Sequence, residues 1–278
     1  MQTTGAKMRN QKGFTLVELM VTLVLTSLAV YGIYKTYISF TVTASLQDQV
    51  TEMQQGLRIG MNWIAGELRR AGYDPSGTVN PGFGIPGSNL AKADSVRFTM
   101  DITGGENDGI NNDGDGDKDA ADPGNDEDEF GDGDTGDIGE DITYALVANG
   151  DTFDLVRNDN NTAAGNQVLI SNVDALNFVY LGPGEDTNGN GVLDAGEDED
   201  ADGFLDVDEI LATPVAEPGD IRRIQVSMVI RTSNEDYTYT NTESYTNMQG
   251  TEILAPQNDN FRRRVLSREV KIRNMGLD

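Results

Sequence analysis

From Gly13 to Tyr34 the chain runs 22 residues between Lys12 and Lys35 with a single charge among them, Glu18. As a helix this run would measure about 33 Å at 1.5 Å per residue, enough to cross a bilayer core. Lys7, Arg9 and Lys12 precede it, and basic residues hold such a flank on the cytoplasmic side. Everything after Lys35 is therefore expected beyond the membrane. Glu18 fits poorly with an uncleaved anchor, because a carboxylate in hydrocarbon costs on the order of a few kcal/mol and an anchor gains nothing from it. The same objection meets a secretory signal cut at the small-x-small site Ser27-Leu28-Ala29.

The apolar periodicity continues past the run. No proline occurs between Lys35 and Pro75, and Leu46, Val50, Met53, Leu57, Met61, Ile64 and Leu68 recur every three or four residues. Phe14 to Ala71 reads as one helix of about 87 Å, ended by Gly72 with Pro75 and Gly77 beyond it. Its stripe is expected to face a core, with Gly32, Gly56, Gly60 and Gly66 as flexible or close-packing points. Beyond residue 90 the period changes to two. Val96 to Ile102, Ile142 to Leu146 and Phe153 to Leu155 alternate, the last two joined by the turn-prone Asn149-Gly150. Further strands are expected at Val168 to Ile170, Val173 to Leu181, Ile221 to Thr232, Tyr237 to Thr242 and Val265 to Arg273. One long helix followed by strands means α+β.

Three groups of residues now carry a resemblance. A short basic leader is followed by Gly13-Phe14-Thr15-Leu16-Val17-Glu18 and an apolar helix; RIGMNWIAGELRRAGYDP and NFRRRVLSREVKIRNMGL follow later. The first resembles a type IV prepilin amino terminus, and the whole layout resembles the PilW-type minor pilins, close to the J pseudopilin of type II secretion. The resemblance implies the type IV pilin fold, a long amino-terminal helix packed on an antiparallel β-sheet domain. It implies cleavage between Gly13 and Phe14 by a prepilin peptidase and methylation of the new Phe14 amine, leaving 265 residues. It also implies that Glu18 pairs with the Phe14 amine of a neighbouring subunit. An α-amino group with a pKa near roughly 7.7–8.0 is largely cationic at neutral pH, which makes the buried acid tolerable. The layout is then a leader at 1–13, a membrane and filament-core helix at 14–35, its amphipathic continuation at 36–71 and a β domain at 72–278. The implied role is a structural subunit in pilus initiation or at the tip. The precursor would sit single-pass in the inner membrane with its β domain facing the periplasm, and the mature subunit in a surface filament with other minor and major pilins. A type II secretion pseudopilin and a calcium-dependent tip adhesin are the alternatives.

The net charge of −27, from 47 acids against 20 bases, sits in two places. Residues 101–141 hold 17 acids and one base, residues 185–209 hold 11 acids and none, and the rest of the chain balances at 19 of each. Acidic inserts at 103–141 and 182–218 in a neutral body argue for cations and against nucleic acid as partners. With no histidine or cysteine, imidazole bases, thiolate nucleophiles and His/Cys zinc sites are excluded. No catalytic residues are assigned, and an enzyme is the weakest reading. The basic residues Arg262, Arg263, Arg264, Arg268, Lys271 and Arg273 are expected to form an exposed face of a late strand, set toward acids on a neighbouring subunit.

The second insert resembles two EF-hand-type calcium loops laid end to end, with a solvated linker as the alternative. Asp186, Asn188, Asn190, the Val192 carbonyl, Asp194 and Glu197 occupy positions one, three, five, seven, nine and twelve of the first, with Gly191 at the turn. Asp198, Asp200, Asp202, the Phe204 carbonyl, Asp206 and Glu209 repeat the pattern around Gly203. Acid richness alone does not place glycine at six and leucine at eight in both copies. The flanking helices of the EF-hand family are missing, so a stapled loop is expected, not a sensor. In the first insert Asn111, Asp113, Asp115, Asp117, Asp119 and Asp122 approximate the same template, with a disordered acidic loop as the equal alternative, and residues 126–141 follow no register. Oxygen-only donors suit calcium and not zinc or copper, and magnesium demands a stricter octahedron. Thermal melts of the residues beyond the membrane are therefore expected to move to higher temperature with calcium than with chelator; equal midpoints would contradict the two-loop assignment.

Overall fold

A computed structural model describes residues 13–74, 81–83, 91–102, 135–136, 138–163, 165–182, 210–216 and 218–275. The chain divides into two compact units, Met1–Asp48 and Gln49–Asp278. Helix α1, Leu16–Leu68, contributes to both. It begins where Thr15 can cap it and meets no proline along its length.

In the first unit the described residues are almost wholly α1, with its apolar side chains exposed from Leu16 to Val42. This is the one helix among the described residues long and apolar enough to cross a membrane.

In the second unit α1 turns one face inward, burying Met53, Leu57, Gly60, Met61, Ile64, Ala65 and Leu68. Burial begins at Met53, with Val50 partly buried against the same core. The partner surface is an antiparallel sheet in the order β1-β2-β3-β4-β6-β9. Its strands are β1 (Val96–Thr99), β2 (Asp141–Asn149), β3 (Thr152–Asp159), β4 (Gln167–Leu181), β6 (Arg223–Arg231) and β9 (Arg263–Lys271). A two-residue β5 (Ile210–Leu211) pairs with β4, and β7 (Tyr245–Thr246) with β8 (Glu252–Leu254) forms a second small sheet. Phe98, Ile142, Tyr144, Leu155, Phe178, Val226 and Met228 join the helix stripe in the main core. Burying each such large side chain stabilises by about 1.5–3 kcal/mol. On the opposite face Ala175, Val229 and Tyr245 form a smaller cluster with Ile253 and Leu254.

Several elements depart from the expectations. Helix α1 stops three residues short of Ala71, and β1 ends at Thr99 because the Met100 and Asp101 amides leave the strand to donate to the carbonyls of Glu140 and Tyr73. The two strands expected at 168–170 and 173–181 are one, with the irregularity absorbed inside it: Asn172 adopts a left-handed φ of 62° and the register with β6 shifts between Val173 and Ala175. Tyr237 to Thr242 is no strand. Asp236 accepts bonds from the Thr238 amide (3.0 Å) and hydroxyl (2.6 Å), and its carbonyl takes the Tyr239 amide, which curls the segment before it can pair.

The glycines of α1 divide sharply. A Cβ on Gly60 would lie 2.0 Å from Ile170 Cδ1 and 3.0 Å from its Cγ1, so here helix and sheet touch backbone to side chain. Gly66 faces open space. Past the helix, Gly72 (φ 75°) turns the chain under Met275, whose sulfur would stand 2.7 Å from a Cβ there. Two substitutions separate these roles in denaturant unfolding. Gly66→Ala is expected to stabilise by about 0.5–1 kcal/mol through helix propensity, and Gly60→Leu to destabilise by about 1–3 kcal/mol through overpacking.

Candidate assembly site

The expected processing and assembly residues sit together at the start of α1. Gly13, Phe14 and Thr15 precede the helix, and Phe14 is 85% exposed. Thr15 caps it: its hydroxyl accepts the Glu18 amide at 3.2 Å, and its carbonyl accepts the Leu19 amide at 3.1 Å. Thr15-Leu16-Val17-Glu18 has the spacing of a capping box, and Glu18 is an acid in the first turn, where the helix dipole favours one. The sequence pattern had offered this local reason for an acid, and it was missed beside the intersubunit one. Both can hold, since the cap uses the Glu18 amide and leaves its carboxylate exposed.

The following turns are suited to hydrocarbon. The hydroxyls of Thr22 and Ser27 donate to carbonyls three residues back, at 2.9 and 2.8 Å. These polar groups are satisfied within the helix, as a lipid-facing segment requires. Lys35 closes the run with its ammonium 5.9 Å from the centre of the Tyr31 ring.

Two ionic clusters lie in the second unit, and neither was foreseen. Glu67, buried on the inner face of α1, receives Arg157 Nε at 3.0 and 3.1 Å and the Tyr144 hydroxyl at 2.5 Å. Burial, then the Glu67 charge, pushes the Tyr144 phenol far above its ordinary pKa, so it remains a donor. The visible signal was an acid three residues after Ile64 in the apolar stripe, which needs a cationic partner.

The second cluster overturns the exposed-face reading for two arginines. Arg263 is buried, donating to Asp174 Oδ2 at 2.5 Å and to both Asp259 oxygens at 2.6 Å. Arg262 donates to Asp236 at 2.6 and 2.9 Å and lies over the Tyr239 ring. Strand alternation decides this: Arg263 shares a face with Asp174 and Arg231, the latter stacked 4.1 Å from the Phe261 ring centre. The Arg263 hydrogen bonds hold the Asp259 carboxyl below the usual range, whereas burial raises that of Asp174 despite its two arginines. Asp259 thus contributes stability that is present above the ordinary aspartate pKa of about 3.9 and lost as pH falls through its lower folded value; the raised Asp174 works in the opposite sense. Arg268 donates to Asn62 Oδ1 on α1 at 2.7 Å, while Arg264, Lys271 and Arg273 are exposed as expected.

The calcium-loop residues Asp186 to Glu209 and the looser set Asn111 to Asp122 lie outside the described residues. Among the described residues no group of three or more acids is placed to hold a metal ion.

Two family models match the sequence. One, described as Type IV Pilus-assembly protein W, covers residues 143–274. The other, the Prokaryotic N-terminal methylation motif, covers residues 8–34. No curated protein matches the chain significantly. Among solved structures, a type IV-like pilin from Thermus thermophilus aligns over 83% of this chain and 98% of its own, at 14% identity and a TM-score of 0.37. A likeness of that size adds nothing to the fold described above.

The Glu67 cluster yields a double-mutant test. Arg157→Leu, which strands a buried carboxylate, is expected to cost about 3–5 kcal/mol in denaturant unfolding, and the pair E67L/R157L to regain part of it.

Proposed function

We propose that this chain, for which the two family-model matches support a type IV minor pilin, is a filament subunit whose assembly runs through the start of α1. The precursor inserts with residues 14–35 in the inner membrane and its amino terminus in the cytoplasm. A prepilin peptidase cuts between Gly13 and Phe14 and methylates the Phe14 amine. The carboxylate of Glu18 then pairs with the Phe14 amine of an adjoining pilin, a contact that sets axial register as the helices leave the lipid together. The observation that carries this reading is one acid on an otherwise apolar, fully exposed stretch of helix, directly after an uncoiled Gly13-Phe14. Exposed apolar surface of this extent has to be covered by lipid or by other helices. The role is structural, not enzymatic.

Calcium belongs to the same proposal. The side chains of Asp186, Asn188, Asn190, Asp194, Glu197, Asp198, Asp200, Asp202, Asp206 and Glu209, with the Val192 and Phe204 carbonyls, would supply two all-oxygen donor sets by their sequence spacing. A divalent cation there would cancel their mutual repulsion and cross-link the insert.

Glu18→Ala tests the assembly role. The variant is expected to reach the membrane at wild-type level and to be lost from sheared filaments; incorporation at wild-type level would contradict it. Deleting the gene is expected to abolish pilus display and leave exoprotein release unchanged, whereas the reverse would assign the chain to a secretion system.

A further inference from the structure

We infer that the outer edge of β9 is a docking strip for the acidic tract of a second copy of this chain, joined head to tail. Strand β9 ends the sheet order, pairing over all nine residues with β6, and among the described residues no strand pairs with its other edge. It is long and contains no proline, so neither shortness nor a missing donor protects it. Its guard is charge of one sign. Arg264 and Arg268 flank the edge on the helix side, Lys271 flanks it on the other, and Arg273 follows. The bond from Arg268 to Asn62 brings the neighbouring turns of α1 alongside, where Arg58 and Arg69 share the Asn62 stripe and are exposed. The acid in this stretch, Glu269, is already taken up by Arg223 at 3.6 Å and Gln225 at 3.2 Å. Arg264, Lys271 and Arg273 have no ion-pair partner among the described residues.

A basic strip is out of keeping with a chain of charge −27, unless it meets the acids that carry that charge. The tract best suited is NDEDEFGDGD, residues 125–134, with six acids, no base and no calcium register to neutralise it. Its carboxyl-terminal root is Thr135, whose carbonyl accepts the Asn161 side-chain amide at 2.8 Å just past the end of β3, three strand spacings from β9, about 14 Å across the sheet. Reaching its own strip would use about four residues of the tract in crossing β4 and β6, whereas a neighbour's strip can take the whole tract. Because the body is neutral outside its acidic inserts, tract-to-strip contact attracts without body-to-body repulsion. Such a contact is heterologous and propagates from copy to copy. An extended tract added along the edge would gain main-chain hydrogen bonds as well as ion pairs.

The test is fluorescence anisotropy of a labelled peptide of residues 125–137 with the full chain in detergent and chelator. Saturable binding that weakens with salt is expected, reduced about tenfold in R264E/K271E/R273E and retained in R264K/R273K. All three sites are exposed, so the variants should melt as wild type, and a matching circular-dichroism melt is part of the test. No binding, equal binding by the charge-reversed variant, or capture of duplex DNA or anionic vesicles in preference to the peptide would overturn it. None of these outcomes depends on processing at Gly13, so the docking strip and the filament role fail separately.

Discussion

The structure depends on α1 serving two solvents. Along Leu16 to Val42 its apolar side chains have no partner within the chain, and from Met53 to Leu68 a single stripe is buried against a sheet. The first stretch has to be stabilised by lipid or by neighbouring helices, the second by its own fold. The second contact is close because Gly60 lets Ile170 approach the helix backbone. It is also oriented, because Glu67, Arg157 and Tyr144 satisfy one another only in this register. Apolar contact supplies most of the attraction there, and the buried ionic group penalises any slip that would leave one member unpaired.

The same division explains what the sequence displays plainly. Period is a local property, so α1, the β2–β3 hairpin around Asn149-Gly150, β6 and β9 were legible from alternation and turn residues. Strands β5, β7 and β8 were not, since two or three residues carry no period and are strands only because a partner lies beside them. Tyr237 to Thr242 misled for the complementary reason. Its tyrosines and threonines favour a strand, but the Asp236 side chain offers the backbone a nearer bond.

At the candidate site the order of residue types was legible and the local geometry was not. Gly13, Phe14 and Glu18 stand out by their order, and the structure adds the Thr15 cap that places Glu18 in the first turn. The arginine run at 262–264 is expected to be one exposed face, yet strand alternation turns Arg263 onto the face of Asp174 and Arg231, where it is buried, and Arg264 onto the other, where it stays exposed. Which acid an arginine meets depends on strand order, and Asp174 lies 89 residues from Arg263 in sequence. No local pattern encodes that pairing.

The account turns on whether Glu18 acquires a cationic partner through cleavage. The direct measurement is the intact mass and amino-terminal residue of the protein isolated from membranes of cells that make pili. The account predicts a chain that begins at Phe14 with one methyl group on its amine. A protein that retains its first thirteen residues, or begins beyond Ala29, would contradict it.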